Sequence, residues 1–513
     1  MTEQSEAPQS RFSRPGHGWD RVGQQLIGAA AAVADRGQRA PLPIGAPEEV
    51  LAQVAAELGS RDLPAAGIGE QAALDRMARI VHEYGLNLTH ELCAAHLQPP
   101  PLSVAVAADA LASATNASLD TYDSGPATLA IESWTVEALA RLVGLPSTSG
   151  GVFGPGGSYS NLLAMLIARD QAGAKRGIDI RQHGVSALGA PVVLCSKVAH
   201  FSVQRACAAL GLGESAVITV DCDSEHRMLP SALEAVLDDL ASAPGPQRTP
   251  FAVVATAGTT DFGTVDPLPE IAEIAHRHGL WLHVDAAYGF GALFSDRFAG
   301  LLAGIELADS ITLDLHKVGW QPAAASLLLL ADTDSFSSLD RSVAYLNPED
   351  DLQAGFGGQL GLTLQTTRRP DVLKVATTLL AYGRSGLGDM LDACHDLARH
   401  AQERIDTEPQ LELVSEATLT TVVFRYLCDD LDIDQVNAEL RRRLISSGTA
   451  LIGRTQVRIG ADGEPRTCLK LTLLNPETSP ADIGRLFDEI LRVALEVESE
   501  GLPAALNVGA AHE

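Results

Sequence analysis

Short apolar runs alternate with helix-like segments between about residues 130 and 335. These runs lack the strict alternation of a half-exposed strand, so they predict strands that are buried on both faces. Buried strands separated by helices are typical of a largely parallel sheet covered by helices, which is the α/β class. The predicted strands are 191–195, 216–220, 251–256, 280–284, 310–313 and 326–330.

The segment 266–279 illustrates how the intervening helices are predicted. Asp266 is expected to be the N-cap, and Pro267 suits the first turn because a helix needs no amide donor there. An apolar stripe follows, and Gly279 is expected to end the helix.

The hydrophobic pattern changes along the chain and predicts four segments. An N-terminal helical arm carries an apolar face that it cannot bury alone, so we expect this face to pack on another surface such as a second subunit. The predicted segments are a disordered tail at 1–18, the N-terminal helical arm at 19–95, a large α/β domain at 96–375 and a small C-terminal α+β domain at 376–500.

The net charge of the 513-residue chain is −28, from 65 acidic and 37 basic residues. Nucleic-acid binding depends on Lys and Arg side chains that neutralise phosphates, so this balance argues against a nucleic-acid partner. It also disfavours an anionic membrane surface. No apolar run approaches the roughly 20 residues that span a bilayer, so no membrane partner is expected.

The seven cysteines are widely spaced and include no C-x-x-C pair. They predict buried free thiols in a reducing compartment, and the polar residues 1–20 do not resemble a signal peptide. We therefore expect a cytoplasmic protein. His276 and His278 lack the H-E-x-x-H pattern of metal hydrolases, so no metal is predicted.

Two charged residues follow predicted strands, at the edge of a parallel sheet where α/β enzymes bind ligands. Asp285 comes directly after the strand at 280–284, and Lys317 follows the strand at 310–313. Taken alone, Asp285 is equally consistent with a helix cap or a salt bridge, and Lys317 with a snorkelling lysine. Together they match a pyridoxal phosphate site, in which Lys holds the aldehyde and Asp keeps the pyridine nitrogen protonated.

Two weaker signals accompany this pair. Gly156, Gly157 and Ser158 precede a helix-like segment, an arrangement that lets backbone N–H groups approach a phosphate. A plain loop with Ser158 as N-cap explains the same pattern. His200 follows the strand at 191–195, where a ring-stacking histidine and a hydrogen-bonded core histidine are about equally expected.

Taken together, these segments resemble the group II pyridoxal-phosphate-dependent amino-acid decarboxylases. The resemblance spans about residues 85–495 and implies a fold type I enzyme that releases CO2 from an L-amino acid. It is carried by Gly-Gly-Ser and the following Asn at 156–161, Ala-His-Phe-Ser at 199–202, Ala-Gly-Thr-Thr at 257–260, His-Val-Asp-Ala-Ala-Tyr at 283–288 and His-Lys at 316–317.

The resemblance also implies roles for individual residues. Lys317 would bind the cofactor aldehyde as a Schiff base, Asp285 would pair with the pyridinium and His200 would stack on the ring. Tyr345 aligns with the loop tyrosine that returns a proton to the substrate carbon, which favours simple decarboxylation over aldehyde synthesis. A homodimer is expected. The remaining cofactor contacts that it implies are Gly157, Ser158, Thr260, Ala287 and His316.

Only the resemblance to the family indicates a substrate. The run Ala-His-Leu at 95–97 is similar to the diaminobutyrate and siderophore-lysine branch of the family, whereas the aromatic branch carries an aromatic residue at the position of His96. Arg368 aligns with an arginine associated with the substrate carboxylate, and Gln98 lies in the same segment as His96. A basic substrate such as 2,4-diaminobutyrate or lysine is therefore expected. A decarboxylase of glutamate, aspartate or aromatic amino acids, an aldehyde synthase, and a non-enzymatic scaffold are the alternatives.

Overall fold

The computed structural model describes residues 12–13, 16–34, 40–244, 248–341, 343, 345–459 and 463–502. The described residues divide into two compact units. The larger unit draws on residues 97–398 and 415–421, and the smaller unit draws on residues 1–96, 399–414 and 422–513. The four-segment division expected from the sequence stays a prediction.

The helix predicted at 266–279 is present at Leu268–Arg277, and the long helix Val372–Asp406 is interrupted at Gly383, whose φ of 61° is left-handed. The α-helices are α1 (His17–Ala34), α2 (Pro47–Leu58), α3 (Glu70–Tyr84), α4 (Ser103–Thr115), α5 (Pro126–Val143), α6 (Gly157–Ala174), α7 (Ile180–His183), α8 (Ser202–Ala209), α9 (Pro230–Ser242), α10 (Leu268–Arg277), α11 (Glu349–Gln353), α12 (Val372–Asp406), α13 (Ile433–Ser446) and α14 (Pro480–Glu500).

The strands predicted from the apolar runs are present within a residue or so of their expected bounds, apart from β5, which begins earlier. The sequence pattern also predicts strands at 411–414, 420–426 and 467–474, which correspond to β9, β10 and β12, and it missed β1, β2 and β11. The strands are β1 (Cys93–Ala94), β2 (Gly150–Gly154), β3 (Ala190–Ser196), β4 (Val217–Val220), β5 (Arg248–Thr256), β6 (Trp281–Asp285), β7 (Ser310–Asp314), β8 (Ser326–Leu330), β9 (Leu411–Ser415), β10 (Thr421–Tyr426), β11 (Leu451–Arg458) and β12 (Pro465–Thr472).

The larger unit is built on a seven-stranded sheet with the order β2-β8-β7-β6-β5-β3-β4. Strands β4, β3, β5, β6 and β7 are neighbours in the sheet and run parallel. Strand β8 is antiparallel to both of its neighbours, β7 and β2. Every residue of β6, β7 and β8 is buried, as expected for central strands covered on both faces. The predicted α/β class with a mixed, mostly parallel sheet is confirmed.

The strand register brings polar residues to one edge of this sheet. Thr256, the last residue of β5, pairs with Asp285, the last residue of β6, and Asp285 pairs with Thr312 of β7. The carboxyl ends of these parallel strands therefore coincide, which creates a crevice of the kind where α/β proteins bind ligands. Helix α6 packs over the sheet through buried apolar residues that include Leu163 and Ile167.

The start of α10 corrects one expectation from the sequence. The helix begins at Leu268 with Pro267 at the N-cap, so Asp266 does not cap it. Instead, the Asp266 carboxylate accepts the backbone N–H groups of Met228 and Thr256, each at 2.7 Å. These donors come from other segments of the chain, so local sequence around Asp266 does not reveal them.

The smaller unit contains a five-stranded sheet with the order β1-β11-β12-β10-β9. Helix α14 buries Ile483, Leu486, Ile490, Val493 and Val497 at helical spacing. Helices α2 and α3 contain no fully buried residue. None of the described helices combines the length and the apolar character that crossing a bilayer requires.

Candidate active site

A cavity of about 460 Å³ opens at the carboxyl edge of the seven-stranded sheet, within the larger unit. The structure brings together around it every residue that the sequence predicts as a cofactor contact. These residues are Gly157, Ser158, His200, Thr260, Asp285, Ala287, His316 and Lys317.

Lys317 lies just beyond β7, and its amine faces a carboxylate. The distance from Lys317 Nζ to Asp314 Oδ2 is 3.1 Å. Asp314 is buried, and its Oδ1 has no hydrogen-bond partner among the described residues. The imidazole of His316 is 3.7 Å from the same Asp314 Oδ2. The cavity thus holds the primary amine of Lys317 beside the carboxylate of Asp314, whose Oδ1 accepts no hydrogen bond from the described residues.

Asp285 is the second carboxylate of the cavity. Its Oδ2 accepts a hydrogen bond from Asn161 Nδ2 at 2.8 Å, and its Oδ1 accepts the backbone N–H of Ala287 at 3.1 Å. Asp285 is only 6% exposed. These two donors fix the orientation of the Asp285 carboxylate at the wall of the cavity.

The N-terminus of α6 forms another wall of the cavity. Hydrogen bonding of the first turn begins with Tyr159 N and Ser160 N, which both donate to Gly156 O. The backbone N–H groups of Gly157 and Ser158 precede these bonds and are the unsatisfied donors expected at a helix N-terminus. Such groups, together with the helix dipole, favour an anion such as a phosphate. The alternative with Ser158 as N-cap is wrong, because the cap is Gly156.

His200 lines the cavity as a neutral imidazole. Burial lowers the pKa of His200, although the nearby Asp285 carboxylate opposes this shift. Its Nδ1 lies 2.8 Å from Ser202 Oγ and accepts the backbone N–H of Ser202 at 3.3 Å. A neutral ring whose Nδ1 accepts carries its proton on Nε2.

Tyr345 and Arg368 do not line this cavity. Tyr345 is 84% exposed and lines a separate cavity of about 320 Å³. Arg368 is buried and donates from Nη1 to Glu132 Oε2 at 2.6 Å and from Nη2 to Gln359 Oε1. The guanidinium is therefore engaged in an ion pair in this structure, and a contact with substrate stays a prediction.

The other predicted substrate residues are both exposed. His96 belongs to the smaller unit, and Gln98 belongs to the larger unit. Desolvation lowers the pKa of His96, and the positive charges of Arg441 and Lys470 act in the same direction. His96 has a left-handed φ of 63°. Their proposed contacts with substrate stay predictions.

Several residues of the cavity were not assigned a role from the sequence. They are Asn161, Thr256, Tyr288 and Asp314. Asp314 was detectable, since it is a second acid at the end of a strand, three residues before Lys317. Asn161 was also detectable, because it is an amide on the apolar face of a helix that begins at the glycine-rich run. Thr256 Oγ1 is buried without a hydrogen-bond partner among the described residues.

The donor set of the cavity fits pyridoxal phosphate. The amine of Lys317 suits the aldehyde, the carboxylate of Asp285 suits a protonated ring nitrogen, and the N-terminus of α6 suits the phosphate. These groups line one cavity, as a molecule that carries an aldehyde, a ring nitrogen and a phosphate requires. Among the described residues, no cluster of three or more His, Cys, Asp or Glu side chains suits a metal ion.

Comparisons with known proteins agree with this chemistry. The family model for the pyridoxal-dependent decarboxylase conserved domain matches residues 65–427. The chain is 40% identical over 439 residues to L-2,4-diaminobutyrate decarboxylase of Rhizobium meliloti (strain 1021), covering 85% of this chain and 84% of that protein. It is 32% identical to cysteine sulfinic acid decarboxylase of Rattus norvegicus, with 88% and 90% covered.

A solved structure is similar across nearly the whole chain. The crystal structure of the glutamate decarboxylase domain of diaminobutyrate-pyruvate transaminase and L-2,4-diaminobutyrate decarboxylase from Vibrio parahaemolyticus matches with a TM-score of 0.84 and 32% identity. The match covers 94% of this chain and 98% of that chain.

These matches define the class of the protein. The chain belongs to the pyridoxal-dependent decarboxylase family. The predictions of a fold type I enzyme, of pyridoxal phosphate as cofactor and of an amino-acid decarboxylase are therefore confirmed.

Proposed function

We propose that this chain decarboxylates a basic L-amino acid, either 2,4-diaminobutyrate or lysine, to the corresponding amine. One observation carries the proposal. Lys317, Asp285 and the N-terminus of α6 share one cavity, in a chain of a pyridoxal phosphate decarboxylase family.

Each group of residues that lines the cavity has a separate role in this proposal. Lys317 would hold the cofactor aldehyde, Asp285 would keep a proton on the ring nitrogen, and the N–H groups of Gly157 and Ser158 would bind the phosphate. When bound, pyridoxal phosphate supplies a ring that accepts the electron pair left behind as CO2 departs. His200 would pack against the ring.

The remaining predicted residues complete the scheme. Thr260, Ala287 and His316 contact the cofactor from the rim of the cavity. Tyr345 delivers a proton to the substrate carbon after CO2 has left, and its exposed position fits a residue that is free to approach a substrate. His96, Gln98 and Arg368 contact the substrate.

A basic substrate is supported by a relative and by the charge of the cavity. The Rhizobium meliloti relative is named for L-2,4-diaminobutyrate and is 40% identical to this chain. The cavity contains the carboxylates of Asp285 and Asp314. The negative charge of these two carboxylates disfavours an acidic side chain in the substrate. The 32% identity to cysteine sulfinic acid decarboxylase makes an acidic amino acid the second candidate.

A panel of amino acids tests both candidates. CO2 release should be measured with L-2,4-diaminobutyrate, L-lysine, L-glutamate, L-aspartate, L-cysteine sulfinate and L-tyrosine, at saturating pyridoxal phosphate. We expect the highest kcat/KM with a basic amino acid. A kcat/KM at least tenfold higher with an acidic or aromatic amino acid would replace the substrate class but leave the decarboxylase class intact.

Lysine variants test the chemistry itself. Lys317→Ala should abolish CO2 release and the visible absorbance of the bound cofactor. Lys197→Ala is the matched control, because Lys197 is exposed and pairs with Asp221 on the surface. Full activity of Lys317→Ala, or equal loss in both variants, would contradict the role of Lys317.

We also propose that the protein is a cytoplasmic homodimer. The apolar side chains of Ile27, Leu51 and Val81 in the N-terminal helices are about 70% exposed, which fits a face covered by a second copy. None of the seven cysteines forms a disulfide, as in a reducing compartment. Cell fractionation tests the compartment, and recovery of the protein outside the cytoplasmic fraction would contradict it.

Sedimentation velocity tests the dimer. We expect the wild-type chain to sediment as a dimer and the double variant Ile27→Asp, Leu51→Asp to sediment as a monomer. The control is Leu495→Asp, which changes an exposed leucine of α14 and should leave the dimer intact. A monomeric wild-type chain would overturn the proposal.

A further inference from the structure

The amide of Asn161 connects two of the side chains that line the cavity. Asn161 lies on the buried face of α6 and is 2% exposed. Its Nδ2 donates to Asp285 Oδ2 at 2.8 Å and also to Ser202 Oγ at 2.8 Å. Its Oδ1 lies 3.0 Å from His283 Nε2. Both hydrogens and the oxygen of the amide are therefore engaged.

The hydrogen bonds continue from His283 away from the cavity. His283 Nδ1 lies 2.9 Å from Ser310 Oγ, and Ser310 Oγ accepts the indole N–H of Trp281 at 2.7 Å. His283 and Ser310 are both 0% exposed. These side chains hydrogen-bond directly to one another in the interior, so each depends on its neighbours for its hydrogen-bond partners.

The direction of these hydrogen bonds follows from the end at Asp285. Both oxygens of Asp285 accept hydrogen bonds, from Asn161 Nδ2 and from Ala287 N, so Asn161 turns its NH2 group towards Asp285 and its oxygen towards His283. At the other end Ser310 accepts from Trp281, because an indole N–H only donates, and its hydroxyl still has its own hydrogen to donate to His283 Nδ1. The imidazole of His283 then carries its proton on Nε2 and donates it to Asn161 Oδ1. Burial also lowers the pKa of His283, which keeps this imidazole neutral.

A second series of hydrogen bonds runs from Asn161 through Ser202 to His200. Ser202 Oγ accepts from Asn161 and donates its hydrogen to His200 Nδ1, 2.8 Å away. The orientation of a single amide thus affects two residues of the cavity. It presents one donor to the carboxylate of Asp285, and it leaves the hydroxyl of Ser202 to donate to His200 Nδ1, which also accepts the backbone N–H of Ser202.

We infer that His283, together with Asn161, is a positioning residue for the cofactor. By donating to Asn161 Oδ1, it pairs the remaining polar atom of the amide, and the amide holds both the Asp285 carboxylate and the Ser202 hydroxyl that donates to His200. Without that donor, Asn161 Oδ1 is left buried and unpaired, and only the two hydrogen bonds donated by Nδ2 hold the amide in place. This inference rests on the proposed pairing of Asp285 with the ring nitrogen.

Variants of His283 separate positioning from packing. His283→Leu removes the donor, whereas the amide of His283→Gln is able to restore it. His395→Leu is the matched control, because His395 is a buried histidine of the same unit whose Nδ1 bonds to Leu419 O at 2.7 Å. The dissociation constant of pyridoxal phosphate is measured by titrating the full-length apoprotein, alongside thermal unfolding and 15N spectra of the histidine rings.

We expect His283→Leu to weaken cofactor binding about tenfold or more, as for a buried group left without its partner. The 15N chemical shift of His200 Nδ1 should change, because Nδ1 loses the hydroxyl donor of Ser202 and keeps only its backbone N–H. His283→Gln should stay within about threefold of wild type, and His395→Leu should lower the Tm with no such loss of affinity. Equal losses of affinity in His283→Leu and His395→Leu, or an unchanged 15N shift of His200 Nδ1, would overturn the inference.

Two further variants keep the test decisive. If His283→Leu does not fold, Ser310→Ala removes the donor to His283 Nδ1 and should give the same change in the His200 spectrum. Asp285→Asn tests the underlying proposal. If Asp285→Asn binds pyridoxal phosphate as tightly as wild type, the pairing with the ring nitrogen fails. If Asp285→Asn weakens binding and His283→Leu does not, only the positioning role fails.

Discussion

The carboxylate of Asp314 lies between Lys317 and the start of α6. Its Oδ2 is 3.1 Å from Lys317 Nζ, and a Cβ atom placed on Gly157 would come within 2.6 Å of the same oxygen. A glycine at position 157 therefore serves a close approach between the helix start and the strand end. This contact sets the distance between the groups proposed to hold the two ends of the cofactor.

The variant Gly157→Ala tests this relationship. The added methyl group has to displace Asp314 or the first turn of α6, because 2.6 Å is shorter than any normal contact of a Cβ atom. We expect the dissociation constant of pyridoxal phosphate to rise about tenfold while the protein stays folded, since a helix start that moves loses its phosphate contacts. Gly300→Ala is the control, because a Cβ there meets nothing within 4 Å. Equal affinities in both variants would contradict the prediction.

Much of the fold and the centre of the site could be predicted from sequence because the signals are local. An apolar run followed at once by Asp285 or Lys317 already indicates a strand end in a parallel sheet. The surroundings of Arg368 could not be predicted, since its partner Glu132 is 236 residues away in the chain. The series of hydrogen bonds from Trp281 to Asp285 could not be predicted either, because it forms only when β6, β7 and α6 pack together.

Arg368 is expected to contribute to stability in addition to any contact with substrate. Burial raises the pKa of Glu132, and the nearby Arg368 opposes this shift, so removing Arg368 leaves a buried carboxyl group without its cation. We expect Arg368→Met to lower the free energy of unfolding by about 3–5 kcal/mol, and the double variant with Glu132→Leu to recover most of that loss. Chemical denaturation measures both.

The control for this prediction is Arg141→Met. Arg141 pairs with Glu137 on the surface of α5, where an ion pair is worth less than about 1 kcal/mol. A variant Arg368→Met that keeps its stability and only raises KM would show that Arg368 acts through the substrate and not through Glu132.

Replacing Tyr345 is expected to affect catalysis and not stability, in contrast to replacing Arg368. Its side chain is 84% exposed, so Tyr345→Phe should change the free energy of unfolding by less than about 0.5 kcal/mol. If the hydroxyl supplies the proton to the substrate carbon, the variant should form less amine and should consume oxygen with release of aldehyde and ammonia. Tyr382→Phe, which removes a partly exposed hydroxyl from α12, should behave as wild type. Unchanged amine formation by Tyr345→Phe would remove its catalytic role.

Asp266 should make the stability of the protein depend on pH in the acid range. Burial raises the pKa of Asp266 to about 6, and its hydrogen bonds from Met228 N and Thr256 N oppose this shift without cancelling it. In the unfolded chain an aspartate has a pKa of about 3.9. The folded state therefore binds the proton more tightly, and the stability from this group is complete below about pH 4.

That stability should decline as the pH rises from about 4 to 6 and should be lost above the folded pKa. Asp266→Asn cannot ionise, so the advantage of wild type over this variant should shrink across the same window, by on the order of 3 kcal/mol. Denaturation at a series of pH values measures the difference. The exposed Asp239 provides the control, since Asp239→Asn should give a curve parallel to wild type. An advantage of wild type that instead grows with pH would mean that the two backbone donors outweigh burial and keep Asp266 ionised.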